Sequence, residues 1–199
     1  MELTAKQKEA VKIAVKRYRD GEKMTVISGY AGAGKSTVVS FIIAALDLDE
    51  MDVAYCAFTG KAAQVLKDKG NPGATTLHKL LYYNTQMPNG TYMRTKRKDL
   101  GVSVIVIDEV SMVPTKMIQD LLSYPVYLIC CGDPGQLPPI SKNDDNHLLD
   151  HPHVFLDEIM RQAKESEIIQ VSMQIRDGEP LKEFHGKEVQ IFNAADLTE

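Results

Sequence analysis

Eight residues near the start of the chain, Gly29-Tyr-Ala-Gly-Ala-Gly-Lys-Ser36, have the types and spacing of a phosphate-binding loop. They fit the pattern G-x-x-x-x-G-K-[ST], and they lie between a β-branched apolar run, 24–28, and an apolar stretch, 37–46, that predicts a helix. The glycines let successive backbone N–H groups point at phosphate oxygens, and the helix adds the positive end of its dipole. We expect Lys35 to reach the β- and γ-phosphates and Ser36 to be a ligand of Mg²⁺. The predicted nucleotide-binding residues of this loop are Gly29, Gly32, Ala33, Gly34, Lys35, Ser36 and Thr37.

Two adjacent acids follow another apolar run. The residues at 102–107 predict a buried strand, and Asp108 and Glu109 come directly after it. A buried carboxylate without a partner is strongly disfavoured, so two of them at one strand end need a reason to be there. Beside a phosphate loop, we expect Asp108 to hold the Mg²⁺ shell together with Ser36, and Glu109 to polarise the attacking water.

A further candidate strand, 126–131, leads into the segment Gly132-Asp-Pro-Gly-Gln-Leu-Pro-Pro139. Its glycines and prolines predict a rigid loop that presents Gln136 at the same sheet edge as the two acids. A glutamine at that position could sense the γ-phosphate and transmit the signal to a neighbour. We therefore count Gln136 among the candidate catalytic residues.

Length and composition frame these motifs. The chain has 199 residues, is 44% hydrophobic and 25% charged, and this length and composition predict one α/β domain with small additions. Its formal net charge of -4 excludes a uniformly basic surface, so a polyanion would have to bind through local groups. The three cysteines, Cys56, Cys130 and Cys131, fall in predicted core strands, which indicates reduced thiols of a cytoplasmic protein. We expect no signal peptide, and no apolar run in the sequence approaches the ~20 residues that span a bilayer.

Several helix starts are marked by capping residues. A helix is predicted over 4–19 with Thr4 as its N-cap, and Gln7 within it could present its amide to the edge of an adenine. Thr59 opens a helix that runs to about residue 69, and Thr75 or Thr76 caps a short helix that ends at residue 81.

The stretch 82–98 predicts a β-hairpin, because two strand-like runs flank Pro88-Asn-Gly90 and Asn-Gly tolerates the positive φ values of a tight turn. It is also the most basic stretch of an acidic chain, with Arg94, Lys96, Arg97 and Lys98. Two interpretations remain open. The hairpin is either a solvated surface element or, since aromatic residues stand beside the basic ones, a contact for single-stranded nucleic acid.

Six segments occur in the order and spacing found in superfamily 1B helicases of the RecD and Dda kind. They are the phosphate loop, 57–63, 75–78, 108–112, 132–139 and 156–162. The chain, 1–199, resembles the first RecA-like motor domain of these enzymes over nearly its whole length. The resemblance implies an α/β P-loop NTPase fold with a RecA-like parallel sheet flanked by helices. It also implies ATP and Mg²⁺ as ligands, and action on single-stranded DNA with 5′-to-3′ polarity.

The same resemblance implies roles for particular residues. Gln7 would read the adenine, and Arg161 would contact the γ-phosphate. The hairpin at 82–98 would be a reduced form of a strand-separating pin, and Phe58 departs from the proline usual in the family. The residues expected along the single-stranded DNA track are Thr59, Lys61, Thr76, His78, Arg94 and Lys96.

The tail predicts a helix over 166–178, with Ile168, Val171 and Ile175 on one face, and a strand over 188–192. A second RecA-like lobe, which in the family completes the ATP cleft, is not found within the 199 residues. The chain is then either part of a helicase or a one-lobed ATPase without unwinding activity. A nucleotide-switched binding module is the alternative from another functional class.

Overall fold

The computed structural model describes residues 2–136, 146–157, 166–176, 178–180 and 184–191. Its helices are α1 Ala5–Arg19, α2 Lys35–Leu46, α3 Gly60–Asp68, α4 Leu77–Leu81, α5 Thr115–Leu122 and α6 Glu167–Arg176. Its strands are β1 Met24–Gly29, β2 Val53–Ala57, β3 Thr75–Thr76, β4 Tyr82–Gln86, β5 Tyr92–Lys96, β6 Val104–Asp108, β7 Tyr127–Gly132, β8 Val154–Leu156, β9 Phe184–His185 and β10 Gln190–Ile191.

The centre of the fold is a six-stranded sheet in the order β3-β2-β6-β7-β1-β8. All five pairings in it are parallel. Ser28 of β1 is in register with Gly132 of β7, and Ala57 of β2 with Asp108 of β6. The carboxyl ends of these four strands therefore meet at one edge, where open α/β sheets bind their ligands. The predicted α/β fold with a parallel sheet is confirmed.

Helices cover both faces of the sheet. On one face, α1 and α2 pack with β1, β7 and β8 around Ile27, Ile42 and Ile129, all fully buried. On the other face, α4 and α5 pack around Ile107 and Leu121. The thiols lie inside this core, and all three cysteines are buried and unbonded, as predicted. Burial raises the pKa of the Cys56 and Cys130 thiols to about 12, so they stay protonated near neutral pH.

Local capping chemistry sets several element ends as predicted. Thr4 and Gln7 form a capping box at the start of α1, and that helix ends at Arg19, with Asp20 as its C-cap and Gly21 next at φ +75°. Thr59 caps α3 by accepting a hydrogen bond from the Ala62 N–H. Of the two candidate caps for α4, the structure selects Thr76.

The predicted hairpin is present as β4 and β5, an antiparallel pair whose register runs from Tyr82↔Lys96 to Gln86↔Tyr92. Gly90 has φ +81°, as the Asn-Gly turn requires. In the tail, α6 forms, but Ile168 and Ile175 of its predicted apolar face are 56% and 58% exposed. Of the strand predicted over 188–192, Gln190 and Ile191 pair with β9, and residue 192 lies outside the described residues. None of the described helices has the length and apolar character needed to cross a membrane.

Candidate functional site

The phosphate-binding loop joins the end of β1 to the start of α2. Gly32 and Gly34 both have φ +78°, a left-handed conformation that a side chain disfavours, and Gly34 directly precedes α2. Gly29 is needed for a different reason. A Cβ there would lie 2.7 Å from the carbonyl oxygen of Leu156 in β8, so only glycine lets β8 approach this closely. The sequence pattern thus matches a loop whose curl and packing both require glycine.

Lys35 begins α2 and turns its ammonium back onto the loop. Its Nζ donates to the carbonyl oxygens of Gly29 at 2.6 Å and Tyr30 at 3.1 Å. A phosphate oxygen bound in the loop would offer the same ammonium a charged acceptor. Ser36 and Asp108, the two predicted Mg²⁺ ligands, line one cavity between α2 and α3. A hydroxyl and a carboxylate oxygen are hard ligands, so this pair fits a Mg²⁺ ion.

Glu109 has the most unusual environment at this edge. Its backbone is left-handed at φ +56°, which is uncommon for a residue other than glycine and is often found at functional sites. Its Oε2 is buried and has no hydrogen-bond partner among the described residues, while its Oε1 accepts from Nε2 of Gln136 at 3.3 Å. Burial, and then the neighbouring Asp108, raise the pKa of Glu109, which Lys35 partly offsets. The structure therefore brings Lys35, Asp108, Glu109 and Gln136 to one edge.

Asp133 belongs to the same edge, and the sequence analysis did not single it out. It is 1% exposed, its Oδ2 accepts from the Ala31 N–H at 3.1 Å, and its Oδ1 accepts from the Gly135 N–H at 2.9 Å. Its own carbonyl oxygen accepts from the Gln136 N–H at 3.1 Å. One buried carboxylate thus joins the phosphate loop to the loop that carries Gln136. The available signal was an acid at the end of a buried strand, the same signal that identified Asp108.

Gln7 lies beside the phosphate loop with its amide turned inward. It is 2% exposed, its Nε2 donates to the carbonyl oxygen of Ala33 at 3.1 Å, and its Oε1 accepts from the Thr4 N–H at 3.1 Å. The described contacts of the amide are therefore to the protein. Adenine recognition by Gln7 stays a prediction.

Four of the residues predicted to contact a DNA strand, Thr59, Lys61, Thr76 and His78, lie at or just after the carboxyl ends of β2 and β3. Thr59 and Thr76 are the N-caps of α3 and α4, so their hydroxyls also hold backbone N–H groups. Lys61 is exposed on the first turn of α3. The His78 ring lies between two aromatic rings, 5.4 Å from Phe58 and 6.3 Å from Tyr82 by centroid.

The hairpin divides its basic residues between two environments. Arg94 lies 5.7 Å from the centroid of the Tyr82 ring, beside His78. Burial and then Arg94 lower the pKa of His78, which favours its neutral form. Lys96 instead forms hydrogen bonds to α5 and to the turn after it. Arg161, the predicted γ-phosphate contact, and residues 137–139 lie outside the described residues.

Lys96 and Tyr82 fasten the base of the hairpin to α5. Nζ of Lys96 donates to Asp120 at 3.2 Å and to Ser123 Oγ at 2.6 Å, and it lies 4.8 Å from the centroid of the Tyr124 ring. The Tyr82 hydroxyl donates to the other oxygen of Asp120 at 2.5 Å. The structure therefore shows an anchoring contact for Lys96, and its predicted contact with DNA stays a prediction.

A glycine-rich loop between a parallel strand and a helix, with two acids and a glutamine at the same sheet edge, defines a RecA-like P-loop nucleotide-binding domain. A family model described as an AAA domain matches residues 2–194. The ATP-dependent RecD2 DNA helicase of Deinococcus radiodurans is 30% identical over 164 residues, covering 80% of this chain and 22% of the relative. The ATP-dependent DNA helicase dda of Enterobacteria phage T4 is 30% identical over 191 residues, covering 89% and 43%.

Among solved structures, a complex of two coordinating Pif1 helicases at forked double-stranded DNA matches with a TM-score of 0.59. The identity is 25%, and the match covers 92% of this chain and 50% of the other. The chain belongs to the AAA-domain family and is an N-terminal RecA-like motor domain of the superfamily 1B helicase type. It spans less than half the length of the two curated relatives.

Proposed function

We propose that the chain is the ATP-binding and ATP-hydrolysing motor domain of a DNA helicase that acts on single-stranded DNA, with 5′-to-3′ polarity as in the family it resembles. The observation that supports this best is the hydrogen bond between Gln136 and Glu109 beside the phosphate loop. This bond connects the Gln136 amide, which could contact the γ-phosphate, to the Glu109 carboxylate, which could accept a proton from water. Nucleotide use is common to the ATP-dependent relatives.

In the proposed reaction, ATP binds with its phosphates against the loop amides, and Lys35 exchanges the carbonyls of Gly29 and Tyr30 for phosphate oxygens. Ser36 and Asp108 would hold Mg²⁺, which neutralises phosphate charge when bound. Glu109, whose pKa burial raises, orients a water molecule and accepts its proton.

Two further residues complete the proposed catalytic set. Gln136 reports the presence of the γ-phosphate to Glu109, with which it shares a hydrogen bond. Arg161 supplies positive charge to the same phosphate, by resemblance to the family.

Single-stranded DNA would run along the track of Thr59, Lys61, Thr76 and His78, next to Arg94 of the hairpin. The hairpin would act as a small pin that is held in place by Asp120. A second RecA-like lobe or a second protomer would complete the ATP cleft. We assign the activity to the cytoplasm, a proposal that the three unpaired buried thiols support.

Phosphate release by the purified chain, with and without single-stranded DNA, tests the proposal. We expect slow release that DNA accelerates and that Glu109→Gln abolishes, which also excludes a contaminating ATPase. Tight ATP binding with no release under either condition would contradict the proposal and favour a nucleotide-switched binding module.

A further inference from the structure

A second basic surface lies at the β3 edge of the sheet, four strands away from β1 and its phosphate loop. It is a concavity formed by the last turn of α3, the segment 72–75, α4 and the segment after β5. Lys67, Lys79 and Arg97 each contribute one positive charge to it from a different element. Among the described residues that line it, Asp99 is the acidic one.

The three cations are available to a ligand. All three side chains are exposed, and within the described part of the chain none of them forms an ion pair. The carboxylate of Asp99 accepts a hydrogen bond from the Gly101 N–H at 3.1 Å, so it already holds its own turn. The concavity is therefore locally positive on a chain whose formal net charge is -4.

The backbone under these cations is well held. The Arg97 N–H donates to the carbonyl oxygen of Leu81 at 2.8 Å, and its carbonyl oxygen accepts from the Tyr124 hydroxyl at 2.5 Å. The Lys79 N–H donates to Oγ1 of Thr76, the cap of α4. Because the backbone positions are ordered, binding an anion here costs conformational entropy mainly in the three side chains.

We propose that this concavity, defined by Lys67, Lys79 and Arg97, is a second nucleic-acid site that binds phosphates of a DNA segment outside the track of Thr59, Lys61, Thr76 and His78. The inference rests on the proposed function. The favoured ligand is DNA because α4 joins the two surfaces, with His78 on the track and its neighbour Lys79 in the concavity.

The lining also defines how this site recognises DNA. It holds cations and aliphatic residues, and no aromatic side chain is among its described members. Bases therefore have no ring to stack on, and contact is restricted to phosphates. Such contact is independent of sequence and strongly dependent on salt.

The test removes the three charges together as K67Q/K79Q/R97Q. The matched control is K8Q/K12Q/R19Q, which removes the same net charge from exposed positions of α1, at the β8 side of the sheet. Affinity is measured across a salt series for three labelled DNAs: a single strand that spans only the track, a longer single strand, and a forked duplex. Equal melting temperatures establish that both variants are folded.

We expect K67Q/K79Q/R97Q to flatten the log–log salt slope by about 2 for the longer single strand, since each phosphate contact contributes about −0.7. If a duplex arm occupies the site, the fork shows the larger loss. The short strand should bind both variants alike. A slope equal to that of the control on both longer DNAs would overturn the second site while leaving the proposed function intact. Absence of DNA binding by the unchanged chain would overturn both.

Discussion

Lys35 and Glu109 lie at the same sheet edge, but their opposite charges suit different ligands. In the proposed mechanism, the ammonium of Lys35 would contact the phosphates in the ground state and in the transition state. The carboxylate of Glu109 would contact the attacking water, and its buried Oε2 has no hydrogen-bond partner among the described residues. The two side chains should therefore differ in what their removal does to binding and to turnover.

Lys35→Ala should weaken ATP binding and stop turnover, because the phosphates lose a charge-assisted contact. Glu109→Gln should stop turnover while ATP binding survives, because glutamine keeps the size and the hydrogen bonding but lacks a basic oxygen. Titration with a fluorescent ATP analogue and steady-state phosphate release separate the two effects. Equal losses of nucleotide affinity in both variants would contradict the assigned roles.

Asp133 should matter for nucleotide affinity although it does not need to touch the nucleotide. In Asp133→Asn, one of the N–H groups of Ala31 and Gly135 would face an amide NH₂ instead of a carboxylate oxygen. An unsatisfied buried donor costs about 1–3 kcal/mol, and here that cost would fall on the loop conformation. We expect a roughly fivefold or greater loss of ATP affinity by the 1.4 kcal/mol-per-decade rule, with DNA affinity unchanged.

The control for Asp133 is Asp49→Asn, an exposed position on the same chain with no side-chain hydrogen bond at its helix cap. It removes the same charge from a site remote from the loop contacts. Nucleotide affinity that is equal in the two folded variants would show that Asp133 does not position the loop.

At the scale of elements, two basic residues of the hairpin differ: Lys96 helps to anchor the hairpin to α5, and Arg94 remains exposed. Arg94→Gln should weaken single-stranded DNA binding without changing the melting temperature, because its side chain is exposed on the open face beside Tyr82. Lys96→Gln should raise the amide exchange of β4 and β5, because Asp120 loses its ion pair. Salt-dependent binding and hydrogen exchange measure the two outcomes. The opposite pattern, with exchange altered only by Arg94→Gln, would refute this division.

Strand β8 is joined to β1 by a histidine that must be neutral. The ring Nδ1 of His153 accepts a hydrogen bond from the backbone N–H of Val26 at 2.9 Å, and the backbone N–H of His153 donates to the carbonyl oxygen of Val26 at 3.0 Å. Burial and then Arg17 lower the pKa of His153 in the folded chain. A protonated Nδ1 could not accept this bond. The strand beside Gly29 thus depends on the neutral imidazole.

The unfolded chain takes up the His153 proton first, at a pKa near the ordinary value of about 6.5. The contribution of His153 to stability is therefore complete above that pH and is lost as the pH falls toward the lowered folded pKa. We expect a fall in melting temperature between pH 7.5 and pH 5.5. His153→Asn, whose side-chain oxygen can accept at either pH, should show a smaller fall. An identical fall in both proteins would assign the pH dependence to other groups.

At the scale of the whole molecule, one RecA-like domain provides the sheet edge that carries the phosphate loop, Asp108, Glu109 and Gln136. The relatives are at least twice as long as the matched region. In phosphoryl-transfer enzymes an arginine supplied by a second lobe or partner contributes about 10³–10⁵ in rate. Translocation also needs two surfaces whose separation changes with nucleotide state.

The 199-residue chain should therefore bind ATP, hydrolyse it slowly and fail to unwind a forked duplex. Steady-state ATPase with saturating single-stranded DNA, followed by an unwinding assay at several protein concentrations, tests this. Activity that rises more steeply than protein concentration would indicate that a second protomer completes the cleft. Rapid turnover with unwinding at every concentration would show that one domain suffices.

Sequence by itself determined the elements whose causes are local. The phosphate loop, the caps at Thr4 and Thr59 and the Asn-Gly hairpin each depend on residues a few positions apart, so composition and spacing were sufficient. The apolar runs likewise predicted the buried strands, and the acids that follow them predicted where the site would lie. The predicted loop, caps, hairpin and strands are present in the structure because backbone geometry and capping act over one or two turns, and the site roles of the acids stay predictions.

Only the tertiary structure decided which distant side chains meet. Asp133 reaches Ala31 across 102 positions because β7 lies beside β1 in the sheet. Lys96 faces Asp120, and α3, α4 and the segment after β5 gather three cations at the β3 edge. Strand order and helix placement determine these contacts between distant residues. Both are set by the burial of the apolar faces of the sheet and helices against one another. Periodicity along the chain predicts which face of a helix or strand is apolar. Which other element packs against that face is determined by the packing of the whole molecule.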